Sequence, residues 1–190
     1  MRKDLVEERG AFKGRKRCAR VRPFLRSGFE QAGFAVDRDA IEAILDLAED
    51  VPYNVQRLAH ECFSALRDED QTGEERRADG NASGRLTAAR VERVLGRLVE
   101  RDDPFYTQTW NQLTATQKKA LLALTKEGGR GLFAKEVLAA YELPLSTMRT
   151  ALEALQRVGI AREEENRAST RLRLEDPFFA AWLERFVAGP

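Results

Sequence analysis

The chain has 190 residues, 43% of them apolar and 33% charged, with a formal net charge of +1. Its length suits one large or two small domains, no apolar run approaches membrane-spanning length, and its two cysteines, Cys18 and Cys62, lie far apart without metal-ligand spacing. The charge is uneven: +7 over residues 1–26 (ten Lys/Arg, three Asp/Glu), −8 over 27–103 (ten and eighteen) and +2 over 104–190 (twelve and ten), so the leader would attract acidic surfaces and the middle would repel nucleic acid.

Residues 1–20 read as a basic, flexible leader, with Leu5, Val6 and Phe12 as its only large apolar residues. It lacks the apolar core of a secretory signal, which points to a cytoplasmic protein. Gly10 to Lys16 carries two glycines and two lysines but not the G-x-x-x-x-G-K-[ST] spacing of a phosphate loop, so a nucleic-acid arm or a plain tail is the reading.

A first helix is expected over Pro23 to Ala32, since proline is pre-set for a first helical position, with Phe24, Leu25, Gly28 and Phe29 on one face. Asp37 should cap a second helix with the stripe Ala40, Ile41, Ile44, Leu45 and Ala48. A third helix follows from Pro52, with Val55, Leu58, Ala59, Cys62, Phe63 and Leu66 inward and His60 off the stripe as a surface residue. Asp68 to Gly84 is charged and without large apolar residues, which predicts a surface loop. Thr87 should cap a fourth helix, striped by Val91, Val94, Leu95, Leu98 and Val99. Residues 21–101 thus read as a four-helix bundle bounded by Asp102-Asp103-Pro104. Phe105 to Gln112 should be a short connecting helix, with Phe105, Tyr106 and Trp110 offering apolar contacts.

The stretch Leu113 to Leu174 has a different order. Thr114 and Gln117 have capping-box spacing and open a helix with Ala120, Leu121, Leu124 and Thr125 on one face, closed by Gly128-Gly129. A second helix covers about Ala134 to Ala140, with Val137, Leu138 and Tyr141 inward. Pro144 breaks the run. A third begins at Ser146 as cap, with Met148, Ala151, Leu152, Leu155 and Val158 buried, and stops at Gly159. Ile160-Ala161-Arg162 reads as a strand, Glu163 to Ser169 as a loop, and Thr170 to Leu174 as a returning strand with Leu172 and Leu174 inward and Arg171 and Arg173 outward. Asp176 and Pro177 then open a last helix with Phe178, Phe179, Trp182, Leu183 and Phe186 on its apolar face. Three helices followed by a hairpin is the order of a winged helix-turn-helix, expected over residues 102–190 with the C-terminal helix. The whole chain is therefore expected to be mainly α.

In a DNA-binding version of that fold the third helix enters the major groove by its N-terminal residues. Those are Ser146, Thr147, Arg149 and Thr150. Arg149 would reach guanine edges, and Arg171 and Arg173 would meet phosphates from the wing. The competing reading is a winged fold used only for protein packing.

Several stretches together carry a resemblance. Arg22-Pro-Phe-Leu-Arg-Ser-Gly-Phe-Glu-Gln-Ala-Gly33, Val51-Pro-Tyr-Asn-Val-Gln-Arg-Leu-Ala-His60, Thr87, Phe105-x4-Trp110-x2-Leu113-Thr-x2-Gln117 and Asp176-Pro-Phe-Phe-x2-Trp182-Leu occur in the order found in the C-terminal part of prokaryotic AAA-type, STAND-related ATPases. The chain resembles that region over about residues 21–187, which implies a helical lid joined to a winged helix. The resemblance implies that Pro52 would lie against a bound nucleotide and that Arg57 would point toward its phosphates. Asp50 stands where the family has glycine. No Walker A or B segment is present, so phosphoryl transfer has no machinery in this chain, and ATP with Mg²⁺ is implied only if a nucleotide-binding core is supplied elsewhere. No nucleophile elbow and no metal cluster appears, and Asp68, Asp70 and Asp79 miss the calcium-loop spacing. The expectation is a non-catalytic module that binds duplex DNA or packs on an ATPase core, with no membrane role.

Overall fold

The computed structural model describes residues 21–72, 84–166 and 169–187. The basic leader, most of the expected loop before Gly84, and residues 167–168 of the hairpin lie outside the described residues. The chain divides into two compact units, residues 1–95 and 96–190, the division falling inside the fourth helix.

In the first unit, α1 (Val21–Gln31) is followed by β1 (Ala35–Val36), α2 (Arg38–Leu47), α3 (Pro52–Thr72), β2 (Arg85–Leu86) and the start of α4 (Ala88–Arg101). α1 buries Leu25 and Phe29, whereas Phe24, expected inward, is 73% exposed. Phe29 and Phe34 both meet the Phe63 ring, at 6.0 and 5.6 Å between centroids. The stripes of α2 and α3 are buried as their spacing dictates, from Ala40 to Leu45 and from Val55 to Leu66, except that Phe63 is half-buried. Between them Glu49 and Asp50 take φ of 51° and 57°. Side chains other than glycine adopt this left-handed region at a cost, and here it lets the Asp50 amide close the helix on the Leu45 carbonyl at 3.0 Å.

Two expectations change in this unit. α3 runs on to Thr72 rather than yielding to a loop at Asp68, because the charged run there contains no Gly or Pro to stop it. Asp37 precedes α2 with extended backbone but makes no side-chain cap; its carboxylate accepts from Arg85 Nη2 at 2.5 Å instead. That ion pair accompanies a two-residue parallel ladder, Ala35 opposite Arg85 and Val36 opposite Leu86. The Ala35 amide donates to Gly84 (2.8 Å) and the Asp37 amide to Leu86 (3.0 Å). Arg90 is 5% exposed; it pairs with Glu69 of α3 and donates from Nη1 to the Arg85 carbonyl at 3.0 Å. One guanidinium thus ties α3, β2 and α4 together. Thr87 caps α4 weakly, its hydroxyl accepting from the Arg90 amide at 3.3 Å.

The second unit continues with α5 (Asp103–Asn111), α6 (Ala115–Lys126), α7 (Lys135–Ala140), α8 (Leu145–Arg157), the antiparallel hairpin β3 (Ala161–Asn166) and β4 (Ser169–Leu174), and α9 (Pro177–Phe186). Its C-terminal portion is a winged helix. The capping box forms at Thr114: its hydroxyl accepts from the Gln117 amide (3.3 Å) and Gln117 Oε1 accepts from the Thr114 amide (2.9 Å). Both strands outrun their expected lengths, since the charged and polar tip still pairs. α5 and α9 are joined reciprocally. Tyr106 donates to Asp176 (2.9 Å), the cap residue of α9, and Trp182 donates to Asp103 (2.8 Å), the first residue of α5. Phe179 stacks on Tyr106 at 5.3 Å and on Trp182 at 5.7 Å, and Tyr106 and Trp182 meet at a tilt at 6.0 Å. Phe105 faces solvent instead, at 66% exposed, and so does Val158, at 62%. Val137, Leu138 and Tyr141 are only half-buried, and α7 contributes no fully buried residue. Among the described residues no helix is long and apolar enough to cross a membrane.

Arg90→Ala leaves the largely covered Glu69 carboxylate without this partner, and breaking a pair in this way should destabilise the first unit by about 2–3 kcal/mol. Urea unfolding followed by far-UV circular dichroism measures it. The half-exposed Arg22–Glu42 pair (2.7 Å) holds the Glu42 carboxyl below its ordinary range, chiefly through the hydrogen bond from Arg22. A depressed carboxylate stabilises the fold above its unfolded pKa and loses that contribution as pH falls through the folded value. Arg22→Ala should therefore cost about 0.5 kcal/mol at neutral pH, and the gap to the parent should close in acid once Glu42 is protonated in both states.

Candidate nucleic-acid interface

α8 is the third helix of the winged fold, and its two faces separate cleanly. Met148, Ala151, Leu152 and Leu155 are buried, while Ser146, Arg149, Thr150, Glu153 and Arg157 are exposed. The helix begins one residue before the expected cap. Pro144, with φ −58° and ψ 151°, occupies the cap position, and its carbonyl accepts from the Met148 amide at 2.9 Å. Proline fixes the entry φ, so Ser146 is left as a first-turn residue whose hydroxyl is available to a partner. Thr147 is half-buried. Ser146, Thr147 and Thr150 line one wall of a shallow groove of about 380 Å³, whose other wall is Thr114, Thr116 and Gln117 at the start of α6.

Arg149 is exposed and its guanidinium carbon sits 5.7 Å from the centre of the Phe133 ring. Phe133 belongs to the α6–α7 connection. The turn there is closed by the Ala134 amide donating to the Gly131 carbonyl at 2.8 Å, and Leu132 beside it is 3% exposed. Arg130 and Lys135 flank this turn and are exposed. Neither they nor Arg149 form an ion pair with a described residue, whereas Lys119 pairs with Glu142 (2.8 Å) and Arg185 with Glu100.

The wing differs from expectation. Register places Arg162, Glu164, Arg171 and Arg173 on one face of the hairpin, with Glu164 directly opposite Arg171. Arg171 Nε approaches Glu164 at 2.8 Å and Arg173 Nε at 3.4 Å, and the two arginine side chains are only 12% and 14% exposed. Both lie on the face away from Leu174, as alternation requires, but they fold onto a carboxylate rather than reaching outward. Arg162 pairs with Glu175 at 3.2 Å. Leu174 is buried and Leu172 half-buried.

The wing is set against α6 by a glycine. Gly129 has φ +75°, and a Cβ there would stand 1.7 Å from the Leu172 carbonyl oxygen. Gly128, at φ +59°, has open space around the same position. The neighbours thus need glycine for different reasons, one for backbone conformation and one also for close approach.

In the first unit, Pro52 is the exposed first residue of α3 and Arg57 is half-buried further along the same helix. Among the described residues no group of three or more His, Cys, Asp and Glu side chains could hold a metal ion. Phe133, Glu164 and Gly129 carry the geometry of the interface, and periodicity marked none of them. The signal for Phe133 was a lone aromatic in a Gly-rich connection; that for Glu164 emerges only once strand register is known.

Residues 104–185 match a family model described as "Probable winged helix domain". No curated protein and no solved structure matches the chain.

Gly129→Ala should push β4 off α6 and destabilise the winged unit by about 3 kcal/mol or more. Gly128→Ala should cost about 1 kcal/mol, the left-handed penalty alone. Thermal unfolding followed by tryptophan emission separates the two, and equal losses would contradict the close approach.

Proposed function

We propose that this chain is a non-catalytic, cytoplasmic regulatory module that binds duplex DNA through α8 of its winged helix. The observation that carries this reading is the distribution of paired and unpaired charge. Lys119, Arg162, Arg171, Arg173 and Arg185 of the winged fold are each neutralised by a neighbouring carboxylate, yet Arg149 stands exposed on the first turns of α8, beside Ser146 and Thr150 and close to Arg130 and Lys135. Hydroxyls and an arginine at that end of the helix are the groups that read base edges, and the two flanking cations suit phosphates. Arg171 and Arg173 would meet phosphate only by leaving Glu164, so they supply a conditional contact.

The resemblance to AAA-type, STAND-related ATPases belongs to the same proposal. The helical first unit would be a lid, and a nucleotide-binding core would come from outside the segment considered. Pro52 and Arg57 would then face nucleotide. The left-handed Asp50 supports this alignment, since it occupies the backbone conformation that suits the glycine of the family's pattern. A second reading, packing on such a core without DNA, is favoured by Phe133 and Leu145, which leave 47% and 46% of their surface exposed beside the same helix.

Fluorescence anisotropy with a labelled duplex across a salt series tests the proposal, comparing the full chain with one starting at Val21. Binding should survive removal of the leader and weaken steeply with salt. Arg130→Ala with Lys135→Ala should weaken all duplexes alike and reduce the log–log salt slope by about two. Arg149→Ala should cost about 1–3 kcal/mol on a preferred sequence only. Glu164→Gln should raise affinity by releasing the wing arginines. Binding lost with the leader, or absent altogether, would overturn the assignment; nucleotide-dependent association with a Walker-containing protein would then favour the second reading.

A further inference from the structure

We infer that Phe133 is a positioning residue that sets the base preference of Arg149, an inference that rests on the DNA-reading role proposed for α8. An exposed arginine on a helix samples many rotamers, and ordering it on a base costs the entropy of that freedom. Here the guanidinium lies 5.7 Å from the centre of an aromatic ring, within the range where a cation is held by the face of the ring.

Both partners are fixed from beneath. Arg149 follows Met148, which is fully buried, on a regular helix. Phe133 lies between Leu132, which is buried, and Ala134, which is half-buried, inside a turn closed at 2.8 Å. A phenylalanine 47% exposed on a connection contributes little to the core, and its ring stands within reach of the Arg149 guanidinium. Among the described residues no carboxylate occupies the Arg149 guanidinium, so its donors are free for paired bonds to guanine O6 and N7 while the ring holds it nearby. At an exposed site a contact of this kind shifts the rotamer population roughly two- to fivefold.

The test uses the full chain. A randomised duplex pool is selected on the parent protein, and the winning duplex and its single guanine-to-adenine variants are then measured by anisotropy. Arg149→Ala should remove about tenfold or more of preference at one guanine position. Phe133→Leu should reduce the preference at that same position roughly two- to fivefold, leaving other positions and the thermal midpoint unchanged. Phe133→Tyr, which retains the ring face, should keep the preference. Full preference in the leucine variant, or its loss in the tyrosine variant as well, overturns the inference and leaves the DNA-reading role standing. If no position responds to Arg149→Ala, the DNA-reading role itself fails and the inference falls with it.

Discussion

Two carboxylates close the C-terminal unit. Asp176 caps α9, its Oδ1 accepting from the Phe178 amide at 2.9 Å, and its second oxygen accepts the Tyr106 hydroxyl. Asp103, at the opposite end of the α5–α9 contact, accepts from Trp182. Each carboxylate sits at the start of one helix and is held by an aromatic of the other. Hydrogen bonds to charged groups contribute about 1.5–3 kcal/mol each, and the stacked rings between them add to that. Because β4 ends at Leu174, two residues before Asp176, the same lock anchors the end of the hairpin. The Glu175 amide completes the anchor, donating to Ile160 at 2.9 Å.

Charge then decides what the scaffold offers a partner. A winged unit with nearly balanced charge cannot rely on a broad field to draw in a polyanion. What matters is which cations are already occupied. Glu164 satisfies two arginines at once, an arrangement that stabilises the hairpin through cross-strand pairing and lowers its positive potential. Three cations without a carboxylate partner among the described residues, Arg130, Lys135 and Arg149, stand on the α6–α7 turn and the first turns of α8. On the proposed reading, recognition would depend on a few well-placed side chains rather than on bulk attraction, which makes the orientation of each one count.

Much of this architecture was legible in the sequence, and the misses have physical causes. Thr114 with Gln117, Asp176 with Pro177, and Gly128-Gly129 are local signals whose partners lie within a few residues, so helix ends followed from them. The β1–β2 ladder was not legible. Two residues of strand have no periodicity, and their pairing depends on bringing residue 35 to residue 85. The start of α8 moved because Pro144 can supply a cap by its backbone alone. The wing arginines were placed on the correct face by alternation, but their fate depends on Glu164, which only the register sets opposite Arg171. Phe24, Phe105 and Val158 fit an apolar stripe yet face solvent. Helical spacing defines a face and leaves open how wide a strip of it the neighbours cover.

The burial of Trp182 has a consequence for how the molecule can be watched. Trp110 and Trp182 are the only tryptophans of the chain, and both lie in the second unit. The first unit contains a single tyrosine, Tyr53, which is already 70% exposed and would change its surroundings little on unfolding. Intrinsic emission is therefore a one-sided reporter. A species in which the first unit has melted and the winged unit has not would glow like the native protein, and a single clean fluorescence transition would give no evidence that the two units unfold as one.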